Sequence, residues 1–212
     1  MQEADDGFDQ EEGILPSPFW KTETLHENWY LGDTYNYAIG QGYTLVTPLQ
    51  MAYALSAFAN EGYQCEPQLL KNAPPVCHKV PVATANIDLI KEGMKEACST
   101  GGTGWPLFNF KVRNMALRAK TLAGADKTKQ ASLEAAMNRD PAYFTPIQTA
   151  CKTGTAESQS KDAAPHAWIF AFAPYEKPEI MVVVLLENAG QGSDVAGPVA
   201  KDIFTAYFER AE

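Results

Sequence analysis

The sequence Thr149-Ala-Cys-Lys-Thr-Gly-Thr-Ala-Glu157 begins a series of three segments that decides the fold. It is followed by Ala167-Trp-Ile-Phe-Ala-Phe-Ala173 and, after the turn sequence Pro174-Tyr-Glu-Lys-Pro178, by Glu179-Ile-Met-Val-Val-Val-Leu-Leu-Glu187. Short runs rich in β-branched and aromatic residues predict strands. The middle run is apolar on both faces, which favours a central place in a covered sheet. We therefore predict three consecutive strands, the last two joined as a hairpin.

Helical patterns lie on both sides of this unit. Thr47-Pro48 predicts an N-cap with proline at the first helical position, and Leu49 to Asn60 is apolar on nearly every face, which predicts a helix buried all round. Residues 87–98 predict an amphipathic helix. Asp194 is expected to cap a final helix after the Gly-rich loop 188–193. Its predicted apolar stripe consists of Val195, Val199, Ile203 and Tyr207.

The remaining segments divide the chain further. Residues 1–13 are predicted to be a disordered acidic lead-in, and 14–212 to be one domain. Within it we expect irregular structure with short strands over 14–46, two short strands over 63–82, and a surface insertion over 111–146 that contains a mostly solvated helix from Lys127 to Asn138. The predicted fold class is α+β, an α/β sandwich with an antiparallel sheet flanked by helices.

Composition excludes several function classes. The 212 residues carry a net charge of -9, which argues against nucleic acid and against docking to anionic lipid. No apolar run is long enough for a membrane span, and the N-terminus does not resemble a signal peptide, so any exporting segment is expected to lie outside this chain. The four cysteines and three scattered histidines do not support a metal site. Cys65 and Cys77 flank a Pro-rich turn, where a disulfide and two unpaired thiols are both compatible with the sequence.

The tripeptide Lys152-Thr153-Gly154 carries chemistry. Serine acyl-transfer enzymes of the penicillin-binding and β-lactamase class use S-x-x-K, S-D-N and K-T-G. On an exposed strand, glycine lets a substrate backbone approach closely, and lysine and threonine can hold a carboxylate. A backbone N–H just beyond the glycine can stabilise an oxyanion. A lone tripeptide is weak evidence, but this one lies in a predicted strand that two more strands follow.

Further blocks occur in the same order as in one family. They are Ala38-Ile-Gly-Gln-Gly42, Thr47-Pro-Leu-Gln-Met51, Gly101-Gly-Thr103, Cys151-Lys-Thr-Gly-Thr-Ala-Glu157, His166-Ala-Trp-Ile-Phe-Ala-Phe-Ala-Pro174 and Glu187-Asn188. Together they resemble the C-terminal half of the transpeptidase domain of penicillin-binding proteins, most closely the elongation-type, class B penicillin-binding protein 2 family. Residues 111–146 have no recognised counterpart there.

The resemblance implies a role for each residue of the motif. Lys152 would help bind a substrate or penicillin carboxylate and support the proton network. Thr153 and Thr155 would hydrogen-bond that carboxylate, Gly154 would keep the strand open, and the Thr155 backbone N–H would form one half of the oxyanion hole. Gly40, Gly42, Thr47 and Gln50 are expected to shape the backbone instead. His166 is expected to be a structural histidine, although a place near the cleft is the alternative.

The family's nucleophile motif is absent before Lys152, where neither S-x-x-K nor S-x-N occurs. The literal match Ser158-Gln-Ser-Lys161 lies after K-T-G in a polar loop, and Ser193-Asp194-Val195 lacks the asparagine, so we interpret both as chance. The N-terminal half of the catalytic domain is therefore expected to lie outside this chain, whether it is a fragment or a native short protein. Taken alone, the chain is expected to be inactive.

The parent activity implied by the resemblance is serine-type D,D-transpeptidation, with no metal or organic cofactor. Its implied partners are the peptidoglycan stem peptide ending in D-Ala-D-Ala, β-lactam antibiotics and, through the parent, cell-elongation membrane proteins. Its implied place is the extracytoplasmic face of the cytoplasmic membrane. Alternatives are a fragment of a D,D-carboxypeptidase or β-lactamase, or a non-catalytic remnant or binding module.

Overall fold

The computed structural model describes residues 12–70, 72–158 and 163–210, so nearly all of the predicted lead-in lies outside the described residues. The helices are α1 (Pro18–Leu25), α2 (Leu31–Ala38), α3 (Pro48–Ala59), α4 (Thr84–Ala97), α5 (Met115–Ala123), α6 (Gln130–Met137) and α7 (Gly197–Phe208). The strands are β1 (Tyr63–Cys65), β2 (Cys77–Lys79), β3 (Lys111–Arg113), β4 (Phe144–Pro146), β5 (Ala150–Ala156), β6 (His166–Ala173) and β7 (Ile180–Leu186). Among the described helices, none has the length and apolarity needed to cross a membrane.

The predicted three-stranded unit is confirmed as an antiparallel sheet in the order β5-β6-β7. Lys152 lies opposite Phe170 and Thr155 lies opposite Ala167, so the K-T-G residues face the middle of β6. The prediction that β6 is central and covered is also confirmed, since Ala167 and all residues from Ile169 to Ala173 are buried. Within the described part of the chain, β5 pairs with β6 only and therefore forms an edge of this sheet.

Helices cover the two faces of the sheet, in agreement with the predicted α+β class. On one face Phe204 of α7, Leu107 and Cys98 pack against Ile169 in a single apolar cluster. On the other face Leu55 and Phe58 of α3 and Met94 of α4 pack against Phe170 and Phe172. Since side chains alternate between faces along a strand, β6 supplies odd-numbered residues to the first cluster and even-numbered residues to the second.

The helix α7 confirms a final helix, but its predicted cap and stripe are wrong. A π-helical turn over Gly192–Ala196 contains Asp194, and the α-helix begins only at Gly197. The buried stripe is Ala196, Ala200 and Phe204, each with 0% exposure, whereas Val199 and Ile203 are each 37% exposed. Two adjacent apolar stripes run along this sequence. The helix uses the one with small residues because a Cβ at Gly197 would stand only 2.7 Å from Pro106.

The helix α3 has the predicted bounds and cap, but it is not buried all round. Thr47 accepts a hydrogen bond from the Gln50 N–H at 3.1 Å, and the Gln50 side chain accepts one from the Thr47 N–H at 2.8 Å. Of the helix residues only Ala57 is fully buried. The helix packs against the sheet, β1 and α4 along one side. Its other side is only partly covered, so its apolar sequence exceeds what this chain buries.

The region 14–46 departs from the prediction of irregular structure with short strands. It forms α1 and α2, and its strand-like pairing is a single bridge between Ile14 and Leu45. Ser17 caps α1 by accepting from the Trp20 N–H at 3.0 Å, with Pro18 at the first helical position. This is the same start signal as Thr47-Pro48, but the aromatic and Gly residues nearby obscure it in the sequence.

The segment 111–146 forms a small unit between β3 and β4, which pair in antiparallel register. The predicted helix Lys127–Asn138 is confirmed as a 3₁₀ turn over Lys127–Lys129 and α6, most of it exposed. The start of the segment is anchored, because Val112 is buried in the main cluster and the Arg113 Nε donates to Glu209, just after α7, at 2.6 Å. That the segment is a surface insertion stays a prediction.

All four cysteines form disulfides. Cys65–Cys77 links β1 to β2, which decides the alternative that the sequence left open. Cys98–Cys151 links the end of α4 to β5 across 53 residues and was not anticipated. Both of its residues are buried, and Cys151 immediately precedes Lys152. This second disulfide therefore fixes the start of the K-T-G sequence to α4.

We predict that the Cys98→Ala/Cys151→Ala variant loses about 2–4 kcal/mol of stability, because a cross-link over a long loop restricts the unfolded chain most. The melting temperature should fall by roughly 5–15 °C for a domain of this size. The matched control is Cys65→Ala/Cys77→Ala, which opens a bond with a sequence separation of 12 and should cost less. The measurement is thermal unfolding. A loss of stability in the control variant as large as that in the first variant would contradict this prediction.

A buried cation holds the α1–α2 region together. The Lys21 side chain is only 3% exposed, and its Nζ lies 2.8 Å from Asp33 Oδ2 and 3.5 Å from Glu27 Oε2. The rings of Tyr30 and Tyr43 lie 5.1 and 5.3 Å from the same atom. The hydrogen bond from Lys21, followed by the one from the Tyr30 N–H, lowers the pKa of Asp33, and the hydrogen bond to Asp33 raises the pKa of Lys21.

We predict that this ion pair contributes to stability above about pH 4 and that acidification removes the contribution. A folded-state pKa below the unfolded value stabilises at higher pH, and the effect is lost as the pH falls through the folded pKa. The raised pKa of Lys21 keeps the other partner charged until strongly alkaline pH. Thermal unfolding of wild type and Asp33→Asn from pH 7 to pH 3 should therefore give converging melting temperatures. Lys21→Met should reduce the acid sensitivity in the same way, and parallel curves would refute the assignment.

Candidate functional site

The K-T-G residues lie on the wall of a cavity of about 540 Å³. Lys152 is exposed, and its Nζ donates to the Thr153 carbonyl. The opposite wall comes from the loop 39–46 and from Met51 and Leu55 of α3. Apolar side chains make up much of the lining, and the carboxylates of Glu157 and Glu187 lie on it as well. An apolar cavity with an open side and a few charged side chains suits a peptide ligand.

The end of β5 offers backbone groups on its free edge. The Thr155 carbonyl accepts from Gln41 Nε2 at 3.2 Å, and the Glu157 N–H donates to Gln41 Oε1 at 3.3 Å. In an antiparallel strand, the N–H and C=O of one residue point to the same side. The Thr155 N–H therefore also points away from β6. This places the proposed oxyanion donor on the edge that a ligand can reach.

The turn that follows α4 makes a hydrogen bond with Thr153. The Thr153 hydroxyl donates to the hydroxyl of Thr103 at 2.9 Å. Thr103 belongs to the Gly101-Gly-Thr turn that follows α4, where a Cβ at Gly102 would stand 2.3 Å from the Ala97 carbonyl. The disulfide from Cys98 to Cys151 ties the same turn to β5. The structure thus joins two blocks that are about 50 residues apart in the sequence.

Glycine is needed in the strand and in the loop that crosses it. A Cβ at Gly154 would stand 3.2 Å from the Trp168 Cβ. A Cβ at Gly192 would collide with backbone atoms of both strands, 2.2 Å from the Trp168 carbonyl and 2.5 Å from the Gly154 carbonyl. The loop after β7 therefore packs directly on the K-T-G strand, and the strand itself stays free of bulk at Gly154.

His166 lies at the cavity and also makes a structural hydrogen bond, so both interpretations given for it agree with the structure. It lines the cavity, and its Nδ1 accepts from the Asn188 N–H at 3.2 Å. Gly40 and Gly42 have positive φ values of 72° and 78°, so they shape the turn that carries Gln41. The backbone role predicted for these glycines and for the Thr47–Gln50 cap agrees with the geometry.

Neither Ser158 nor Ser193, the first residues of the two serine matches, lies in an α-helix. Ser158 lies two residues after the end of β5, and its hydroxyl is 3.5 Å from the Ala163 carbonyl. The rest of Ser158–Lys161 lies outside the described residues. Ser193 and Asp194 lie in the π-helical turn, where the Asp194 carboxylate accepts from Trp105 Nε1 at 3.3 Å.

Two contact residues of the site were not found by sequence reasoning. Gln41 was contained in the quoted Gly-Gln-Gly block but received no role, and Thr103 was quoted only as part of a turn. A polar residue between two glycines is a usable signal for a side chain presented by a tight turn. The partner of Thr103 could not be inferred because it depends on how α4 packs on β5.

The comparisons with known proteins agree with this geometry. The family model described as the penicillin binding protein transpeptidase domain matches residues 9–130 and 122–205. The peptidoglycan D,D-transpeptidase MrdA of Haemophilus influenzae is 32% identical over 199 residues, covering 92% of this chain and 29% of that protein. MrdA of Escherichia coli K12 is 30% identical over 203 residues, with 88% and 28% covered. The chain therefore spans less than a third of the length of these relatives.

Solved structures give the same result. Pseudomonas aeruginosa PBP2 in complex with WCK 5153 aligns with a TM-score of 0.66 at 27% identity, covering 96% of this chain and 38% of that one. PBP2 from Helicobacter pylori, in a complex with MreC, aligns with a TM-score of 0.65 at 28% identity, covering 95% and 32%. The family match extends over most of the chain, and these structural neighbours share its fold. This chain belongs to the penicillin-binding protein transpeptidase family, in the class of penicillin-binding protein 2.

Proposed function

We propose that this chain supplies the K-T-G side of the active site of a peptidoglycan D,D-transpeptidase, as the C-terminal part of a longer protein. The observation that carries the proposal is that the backbone groups of Thr155 face away from β6, with Lys152 on the cavity beside them. An edge strand can bind an extended peptide through backbone hydrogen bonds. The relatives named D,D-transpeptidases are about three times longer than the part that this chain covers.

The proposed reaction is acyl transfer by a serine that the longer protein contributes. The serine oxygen attacks the carbonyl carbon of the penultimate D-Ala, its proton passes to a base, and the terminal D-Ala leaves as a protonated amine. The amine of a second stem peptide then attacks the ester, loses a proton and releases the serine. The Thr155 N–H stabilises the oxyanion in both steps.

Four residues of β5 have proposed roles. Lys152 and the hydroxyls of Thr153 and Thr155 bind the carboxylate of the stem peptide or of a penicillin. Lys152 also favours loss of the serine proton by placing positive charge on the cavity wall. Gly154 keeps the strand surface low enough for a peptide backbone to lie against it. None of these steps requires a metal or an organic cofactor.

The proposed setting is the extracytoplasmic face of the cytoplasmic membrane. Two disulfides in one chain favour an oxidising compartment. The PBP2 of Helicobacter pylori has been solved in a complex with MreC, and we propose that the longer protein likewise works with membrane proteins of cell elongation. The net charge of -9 supports the exclusion of nucleic acid as a partner.

A second candidate function is a non-catalytic module that binds peptide or penicillin without reacting. It is favoured by the absence of S-x-x-K and S-x-N from the 151 residues before Lys152. A D,D-carboxypeptidase or β-lactamase would use the same K-T-G strand with water as acceptor. The relatives named D,D-transpeptidases favour an amine acceptor over water.

We predict that the 212-residue chain forms no covalent adduct with a fluorescent penicillin, because it lacks the nucleophile motif. The measurement is labelling followed by a denaturing gel, with a full-length relative of the MrdA class as positive control. Labelling that the Ser158→Ala variant abolishes would refute both the absence of a nucleophile and the interpretation of Ser158 as a chance match.

We predict that Lys152→Ala slows acylation by penicillin by one to three powers of ten in a longer protein that carries the serine, roughly the range for a charge-stabilising or proton-network group. Stability should change by less than about 1 kcal/mol, because the side chain is exposed. Thr155→Ala keeps the backbone N–H and should slow acylation less. Thr155→Pro removes that N–H and should slow it more.

The melting temperature of each variant separates a loss of chemistry from a loss of fold. Acylation of Lys152→Ala at the wild-type rate would exclude the proposed role. A loss of acylation in proportion to unfolding would exclude it as well.

A further inference from the structure

The side chain of Gln41 bonds to β5 as a neighbouring strand would. Its amide group donates to the Thr155 carbonyl and its carbonyl oxygen accepts from the Glu157 N–H. These two backbone groups belong to residues i and i+2 and face the same edge, so one residue of an added parallel strand could bond both, through its own N–H and C=O. The Gln41 carboxamide therefore takes the place of the backbone N–H and C=O of one strand residue.

This contact engages only one of the two backbone groups of Thr155 that face the edge. The Thr155 carbonyl is engaged, whereas its N–H points to the same free edge and is the proposed oxyanion donor. Ala156 opposite His166 is the last pair of the β5–β6 ladder, so Glu157 lies beyond it. The loop that holds Gln41 turns at Gly40 and Gly42, both with positive φ.

We propose that Gln41 is a specificity-determining residue of the peptide-binding edge, because its side-chain amide competes with a ligand N–H for the Thr155 carbonyl. This inference rests on the proposed function. A stem peptide whose penultimate D-Ala carbonyl accepts from the Thr155 N–H brings the N–H of that same D-Ala to the Thr155 carbonyl, as in one hydrogen-bonded pair of an antiparallel ladder. Gln41 Nε2 already occupies that acceptor.

The contact favours ligands that do not compete with Gln41 for the Thr155 carbonyl. A ligand with an N–H at this position gains a hydrogen bond but breaks the one from Gln41, so the net gain is small. A ligand with an ester oxygen there gains nothing and brings an acceptor towards a carbonyl. Removal of the Gln41 side chain should therefore help the first ligand and leave the second unchanged. The backbone of β5 should keep its shape, because seven residue pairs with β6 hold it.

The test compares two probes on the 212-residue chain by nitrogen-15 NMR titration up to millimolar concentration. One probe is a diacetylated Lys-D-Ala-D-Ala tripeptide, and the other replaces the penultimate D-Ala with D-lactate so that an ester oxygen stands in place of the N–H. The variant is Gln41→Ala. The matched control is Gln148→Ala, which removes an exposed glutamine that does not line the cavity.

We expect Gln41→Ala to bind the amide probe roughly three- to tenfold more tightly than wild type, the range for one hydrogen bond freed from competition. The ester probe should bind within about twofold in both proteins, and Gln148→Ala should match wild type with either probe. The amide hydrogen of Glu157 should also exchange with solvent faster in Gln41→Ala, because the variant lacks the side chain that accepts its hydrogen bond.

Other outcomes distinguish a failure of the inference about Gln41 from a failure of the proposed function. Equal binding of the amide probe to wild type and Gln41→Ala, or weaker binding to the variant, overturns the role of Gln41 and leaves the proposed function standing. If neither probe shifts the Gly154 and Thr155 resonances in either protein, the peptide-binding edge itself is refuted and the proposed function is refuted with it.

Discussion

Within the residues that the structure describes, β5 pairs with β6 on one side only, and the site depends on this constraint. A strand inside a sheet uses its backbone groups on both sides, whereas an edge strand keeps one row free. In this chain that row contains the N–H and C=O of Thr155, immediately after Gly154. The same sheet buries its middle strand between two helical layers, so the edge is presented by a rigid support.

An exposed edge has to be held and protected, and three contacts do this here. The disulfide Cys98–Cys151 fixes the start of β5, and the Thr103 hydroxyl meets the Thr153 hydroxyl in the middle. Gln41 covers the end. Free edges otherwise invite pairing with other chains, and short edges with polar cover are a common protection. The contacts that shape the site thus also limit the length of edge that is available to a ligand.

The sheet, its order and the position of K-T-G could be predicted from the sequence because each depends on local apolar runs and turn residues. The existence of α4, α6 and α7 followed from the same periodicity. The buried face of α7 could not be predicted, since Val199 and Ala200 both belong to plausible stripes and the choice is made by the close approach of Gly197 to Pro106. The burial of α3 was overestimated because an apolar sequence does not tell whether a covering surface is present in the same chain.

The contacts within the site were also only partly predictable from the sequence. Lys152, Thr153 and Thr155 were identified from a motif, and the free edge at Thr155 is the part of their geometry that the strand prediction implied. Gln41 and Thr103 meet β5 from 114 and 50 residues away, and the Cys98–Cys151 bond spans 53. Such distances in sequence are bridged by packing of α3 and α4, which no local pattern encodes. The helices α1 and α2 were missed for a different reason. The Ser17 cap of α1 lies among residues whose composition resembles a loop, and α2 begins after Tyr30, which makes no side-chain cap hydrogen bond.

The place of Trp168 has an optical consequence. It is one of four tryptophans in the chain, and it lines the cavity directly opposite Gly154. An indole at the contact between a protein wall and an incoming molecule changes its emission when water leaves its surroundings. The intrinsic fluorescence of Trp168 is therefore expected to report ligand binding in the K-T-G cavity without an attached dye.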